Sequence, residues 1–249
     1  VLDAAGRLAK DHDAHIEVLH VRADPRGLVP YTGEGMDGSM IEEIMEVTEK
    51  EGGGYEVVVD SPFNRRIDHN TPMRFAGPAA GHDLLKTEAD PEGMTPLGTM
   101  NNCGSGPTPW GTYLTCEENF NGYFGSTDPE FERPADFKRY GINLEGRYAY
   151  EKFDARYDIS QNPNEPYRHG YVTEIDPSDP TSTPKKRTAL GRFKHENAAC
   201  VIAPSGHLVI YMGDDERGEY MYKYVSTNRY APGADTPPLS VPRSVTETA

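Results

Sequence analysis

The spacing of apolar residues changes near residue 54. Leu2, Ala5, Leu8 and Ala9 recur at helical spacing, and Ile16, Val18, Leu19 and Val21 then crowd a run that reads as a buried strand. After a loop rich in Pro and Gly, Ser39 stands three residues before Glu42, the spacing of a capping box. Ile41, Ile44, Met45 and Thr48 extend an apolar stripe toward Lys50. The pattern predicts helix, strand, loop and helix over residues 1–50, the pieces of a small α/β segment, with Gly52, Gly53 and Gly54 as a joint.

From Tyr55 onward, short β-prone runs alternate with Gly, Pro, Asn and Asp turns. Strands are predicted over residues 55–59, 111–116, 171–175, 199–203, 207–212 and 220–225. Pro204-Ser205-Gly206 reads as a tight turn between two of them, and residues 213–218 separate the last pair. Two strand-turn-strand units in succession are what one propeller blade uses. Residues 125–164 read as a long polar and aromatic insertion with one short helix between Pro134 and Tyr140. Beyond Asn228 the chain is rich in Pro and is expected to be disordered. The expected fold class is therefore mainly β, a partial β-propeller over residues 55–227, preceded by a small N-terminal α/β segment (1–54) and followed by a Pro-rich tail (228–249).

Composition narrows the functional classes. The 249 residues carry a formal net charge of −15, which argues against a nucleic-acid footprint and against docking on an anionic membrane. No run of about 18 apolar residues predicts a membrane-spanning helix. The first residues show no basic-then-apolar export signal and no Met, so the natural N-terminus is expected to lie outside this sequence. Cys103, Cys116 and Cys200 are an odd count in a long chain, which suits buried reduced thiols or one metal-binding or reactive thiol better than a disulfide framework.

Four sequence words carry candidate chemistry. Asn101-Asn102-Cys103-Gly104-Ser105-Gly106, followed by Pro107-Thr108-Pro109-Trp110, is expected to form a defined loop that fixes the Cys103 sulfur. Cys116-Glu117-Glu118-Asn119 ends a predicted strand, so Glu117 and Glu118 should point to opposite faces, one inward and one to solvent. Phe193-Lys194-His195-Glu196-Asn197 precedes an apolar strand. Gly213-Asp214-Asp215-Glu216 gathers carboxylates in a turn, a donor type that suits calcium. Each word also fits a plainer role: a Gly-rich turn buttressed by Trp110, two solvated glutamates, a surface ion pair, an acidic hairpin turn. Together, one thiol and several carboxylates at strand ends suit a mixed metal site.

Two resemblances add to this reading. Residues 9–21, from Ala9-Lys10-Asp11-His12 through Val18-Leu19-His20-Val21, with the acidic amphipathic stretch that follows, resemble part of the universal stress protein family. That family's first strand and glycine-rich nucleotide loop have no counterpart here, so no nucleotide site is carried over.

From about Tyr55 to Ser226 the chain resembles the PhoX family of alkaline phosphatases. The matching words are Phe63-Asn64-Arg65-Arg66-Ile67, Thr71-Pro72-Met73-Arg74, Gly77-Pro78-Ala79-Ala80-Gly81-His82, Asn101-Asn102-Cys103, Thr108-Pro109-Trp110-Gly111-Thr112, Thr115-Cys116-Glu117-Glu118-Asn119, Gly191-Arg192-Phe193-Lys194-His195-Glu196 and Tyr211-Met212-Gly213-Asp214-Asp215. The resemblance implies a β-propeller enzyme that hydrolyses phosphomonoesters with iron and calcium as cofactors and is exported. It implies Cys103 as an iron ligand, Glu118 and Glu196 as metal-ligating glutamates, and Asp214 and Asp215 as an acidic turn of the same site. The family's phosphate-binding arginine and later metal ligands have no match after Ser226, so the catalytic residues stay unassigned. The chain is expected to be a fragment with weak or no activity alone. Its open strand edges are expected to favour self-association. The alternative is a non-catalytic propeller scaffold that binds metal or phosphate without turnover.

Overall fold

The structure, a computed structural model, describes residues 41–49, 55–233, 239 and 242–248. The helix and strand expected before residue 40 lie outside the described residues. Over these residues the chain is mainly β. Its strands are β1 (Ile41–Ile44), β2 (Val47–Glu49), β3 (Tyr55–Val57), β4 (Arg65–Asp68), β5 (Arg74–Ala76), β6 (Asn102–Pro107) and β7 (Tyr113–Glu117). They continue with β8 (Val172–Ile175), β9 (Lys185–Arg187), β10 (Ala199–Ile202), β11 (His207–Gly213), β12 (Met221–Arg229) and β13 (Pro242–Thr248), and one short helix, α1, spans Ala135–Arg139.

Two larger sheets organise the chain. One has the order β5-β9-β8-β7-β6, the other β10-β11-β12-β13. Neighbours from β6 to β9 pair antiparallel in chain order, with β5 added parallel outside β9, and β10 to β13 form a second antiparallel meander. Facing apolar positions of the two sheets share one core: Leu114, Cys116 and Val172 pack with Leu208, Ile210 and Tyr224.

Strand β7 is buried along its whole length, so both of its faces are covered. Leu114 and Cys116 face the second sheet, whereas Tyr113 joins Ile67, Met73 and Ile175 on the other side. This alternation decides where the following glutamates go.

The insertion does hold its expected helix, in α1, and it also builds a core of its own. Phe120, Tyr123, Phe124, Phe137, Ile142, Tyr157 and Ile159 are buried against Met100. Aromatic side chains remove large apolar areas each, so a segment with little regular structure can still be well packed.

Three expectations are corrected. Residues 41–49 are extended, not helical: β1 pairs with β4, and β2 pairs with β3. The spacing of Ile41, Ile44, Met45 and Thr48 suited a helix, but strand partners from beyond residue 54 decided the conformation. These pairings also cross the boundary expected at residue 54. The stretch expected to be disordered contributes β13, which pairs with β12 from Met221↔Thr248 to Ser226↔Pro242, and Leu239 is fully buried in the inter-sheet core. The Gly-rich word around Cys103 is strand β6 rather than the defined loop expected.

Candidate metal centre at the seam of two sheets

The segment Phe193–Ala198 stitches the two sheets together. His195 N–H donates to the Glu117 carbonyl at 2.9 Å, and Gly104 N–H donates to the Glu196 carbonyl at 2.6 Å. On its other side Glu196 N–H donates to the Gly213 carbonyl at 3.1 Å, and Asp215 N–H donates to the Lys194 carbonyl at 3.0 Å. Four sequence words far apart in the chain thus meet at one seam.

Local sequence explains the meeting. The β6–β7 register is interrupted between Asn102 and Ser105, so Cys103 and Gly104 lie in a bulge. Bulges re-aim side chains, and here Cys103 stays exposed at the strand edge. Gly104 is required by the close approach: a Cβ there would stand 2.4 Å from the Glu196 carbonyl oxygen and 2.8 Å from Asn197 Cβ.

The two glutamates that end β7 part, but neither reaches solvent as expected for one of them. Glu117 is fully buried beneath the sheet, and Glu118, 8% exposed, turns toward the seam. There the Cys103 thiol hydrogen-bonds the Glu118 carboxyl, and burial, with the charges of Glu118, Glu196 and Asp215, pushes the thiol up to about 11. Glu118 in turn hydrogen-bonds Asp215. Burial first, then this like-charged neighbour, pushes the Glu118 carboxyl up to about 7. Two carboxyls can bond in this way only with a proton between them. The Asn119 amide donates to Glu118 Oε1 and orients it.

Of the residues singled out from sequence, Cys103, Glu118, Glu196 and Asp215 therefore act on one another. Asp214 differs. Its carboxylate accepts the Glu216 N–H at 3.1 Å and the Lys194 N–H, which holds the turn, and its Oδ2 is buried without a hydrogen-bond partner. His195 is buried with its ring stacked 3.6 Å from that of Phe193, and burial lowers it to about 4, so it is neutral at ordinary pH.

Sequence reasoning missed the charge cluster beneath the site. Glu117 Oε1 accepts from Lys186 Nζ at 2.9 Å and from Met100 N–H at 3.1 Å, and Oε2 accepts from Gly170 and Tyr171 N–H. Burial alone would raise Glu117. Lys186, His169 and the Tyr171 amide outweigh it and hold the carboxyl at about 2. Burial lowers Lys186 against the pull of Glu117. Nothing in Lys185-Lys186-Arg187 marks the middle lysine as buried.

The donor set of thiol and carboxylates, with like charges raising one another's pKa, is short of positive charge and fits a cation by its chemistry. Among the described residues no three His, Cys, Asp or Glu side chains stand with their donors already converged on one point. Also among the described residues, no helix is long and apolar enough to cross a membrane.

A mainly β chain with an acidic thiol-and-carboxylate cluster between two antiparallel meanders defines a class, and comparison with known proteins places it further. The family described as Alkaline phosphatase PhoX matches residues 26–241. A solved structure, Pseudomonas fluorescens PhoX in complex with vanadate, a transition state analogue, is 54% identical, with a TM-score of 0.74 over 76% of this chain. This chain spans about a third (33%) of that structure's length. No curated protein matches the chain. The chain belongs to the PhoX alkaline phosphatase family. The match from residue 26 overlaps the segment expected to be of the universal stress kind, and nothing supports that second resemblance.

Proposed function

We propose that this chain supplies part of the active centre of a phosphomonoester hydrolase, with Cys103, Glu118, Glu196 and Asp215 as metal-holding side chains and Asp214 as their turn-forming neighbour. The observation that carries the reading is the Cys103–Glu118–Asp215 hydrogen-bonded cluster in a chain of the PhoX family. A phosphomonoester is an anion, and an uncompensated acidic cluster would repel it. Iron and calcium, bound here, would supply the missing positive charge and Lewis acidity toward phosphate oxygens.

The chain's own groups do the rest. Asn119 fixes the Glu118 carboxyl, and a cation held by the cluster would displace the proton shared by Glu118 and Asp215, so uptake should release protons. The bulge at Cys103 keeps its sulfur beside Glu118. The two meanders, β6–β9 and β10–β13, fit neighbouring blades of a propeller, with β6 and β10 side by side.

The test is hydrolysis of an aryl phosphate by the full protein that carries this chain, loaded with iron and calcium. Loss of turnover in Cys103→Ser and in Glu118→Gln is expected. Undiminished turnover in both variants would overturn the reading, and metal binding without turnover would favour a scaffold.

A further inference from the structure

We propose that Glu117 is the positioning residue of the seam: one buried side chain and its own carbonyl lock together the segments that carry Cys103, Glu118 and Glu196. This rests on the functional reading above and extends it to a residue that touches none of the metal-holding groups.

The geometry makes Glu117 a hub. Its Oε1 accepts the Met100 N–H at 3.1 Å, three residues before Cys103. Its carbonyl accepts the His195 N–H at 2.9 Å, one residue before Glu196. Glu118 follows it directly, and Glu118 N–H donates to the Asn101 carbonyl at 3.1 Å. Asn101 itself lies in the left-handed region at φ 51, which asparagine adopts more readily than most residues. The second carboxylate oxygen accepts Gly170 N–H at 2.9 Å and Tyr171 N–H at 3.0 Å, anchoring the hub to the start of β8.

An apolar residue could fill this buried position without the cost of a charge. What an apolar residue could not do is tie Met100 to Gly170 and Tyr171 by accepting their amides with one side chain; the bond from His195 N–H to its carbonyl would remain. Lys186 has the complementary role: fully buried, it neutralises Glu117 at 2.9 Å and donates to the Arg168 carbonyl at 2.8 Å, but bonds no segment of the seam.

This division of labour is testable. Three proteins are compared in a Cys200→Ser background, where exposed Cys103 is the thiol that reacts and Cys116 is buried: the parent, Lys186→Met, and Glu117→Gln with Lys186→Met. Denaturant stability, the rate of Cys103 alkylation by iodoacetamide in the metal-free folded protein, and iron and calcium affinity are measured for each.

Lys186→Met is expected to lose stability, because it strands a buried carboxylate, while Cys103 alkylation and metal affinity stay within about twofold of the parent. The double variant is expected to regain stability as a neutral pair. Its Cys103 alkylation should rise about tenfold, and its metal affinity should fall about 10- to 100-fold, the loss typical of removing an orienting partner. Parent-like alkylation and affinity in the double variant would overturn the proposal, as would changes that merely track stability across the set. If Lys186→Met fails to fold, the parent and double variant still decide. A parent that binds no metal would sink the functional reading, and the alkylation rates would still judge Glu117.

Discussion

Gly104→Ala tests the seam through packing alone. The residue's φ is not in the left-handed region, so an added methyl carries no backbone strain; it meets the Glu196 carbonyl oxygen at 2.4 Å and Asn197 Cβ at 2.8 Å. Both walls are held by backbone, so one of them must move by roughly an ångström. Overpacking of this kind costs about 1–3 kcal/mol. Losing the 2.6 Å bond from Gly104 N–H to Glu196 adds about 1 kcal/mol. Reduced freedom of the unfolded chain returns about 0.4–1 kcal/mol. The net expectation is a loss of about 1–3 kcal/mol, or roughly 3–10 °C in thermal midpoint for a chain of this size. The matched control is Gly218→Ala, at φ +85 with nothing within 4 Å of the added methyl, which costs only the backbone strain of about 1 kcal/mol. Thermal unfolding followed by circular dichroism gives both numbers. A Gly104→Ala protein as stable as the parent, with parent-like metal binding, would refute the close approach of β6 to the Glu196 segment.

Other consequences follow from the same structure. Glu118 is raised from the ordinary 4.5 to about 7, so the folded chain holds this proton more tightly than the unfolded chain does. Its contribution is present below pH of about 4.5 and is lost as pH rises through about 7, so the metal-free chain should weaken over that interval relative to Glu118→Gln in urea titrations at several pH values. A rise over the same interval would contradict the shared proton. Glu174 accepts from Trp110 Nε1 at 2.8 Å and Thr112 Oγ1 at 2.6 Å and pairs with buried Arg187. Glu174→Leu strands that guanidinium and should cost about 3–5 kcal/mol, with a shift in the fluorescence of the single tryptophan. Proton release on calcium uptake, read in weakly buffered solution, should shrink in Asp215→Asn, whereas release on iron uptake should persist through the Cys103 thiol.

The parts of the fold legible in the sequence were those where side-chain pattern and pairing agree. Strands β7, β8, β10, β11 and β12 were all predicted within a few residues, because each is an apolar or alternating run bounded by turns. Strands β5 and β9 are Arg-Phe-Ala and Lys-Lys-Arg, short and carrying basic residues, and pairing makes them strands: β9 adds to β8, and β5 adds to β9 at Arg74↔Lys185. Asn102–Pro107 reads as a defined loop because Gly and Pro crowd the word, whereas Gly104 is there to let another segment close in on a strand. At the site, alternation separates Glu117 from Glu118, but it places one of them at solvent, whereas both are buried. The partner that keeps Glu117 ionised, Lys186, is 69 residues away and carries no local mark. Short-range pattern reports which face a residue takes, and long-range charge pairing is visible only once the sheets are assembled.

The most direct test of the seam as a metal centre is the metal content of the purified chain by elemental analysis, with Cys103→Ser and Glu118→Gln alongside. Bound iron and calcium in the parent, with iron lost in Cys103→Ser and both metals reduced in Glu118→Gln, is the predicted result. No metal in the parent, or equal metal in all three proteins, would contradict it.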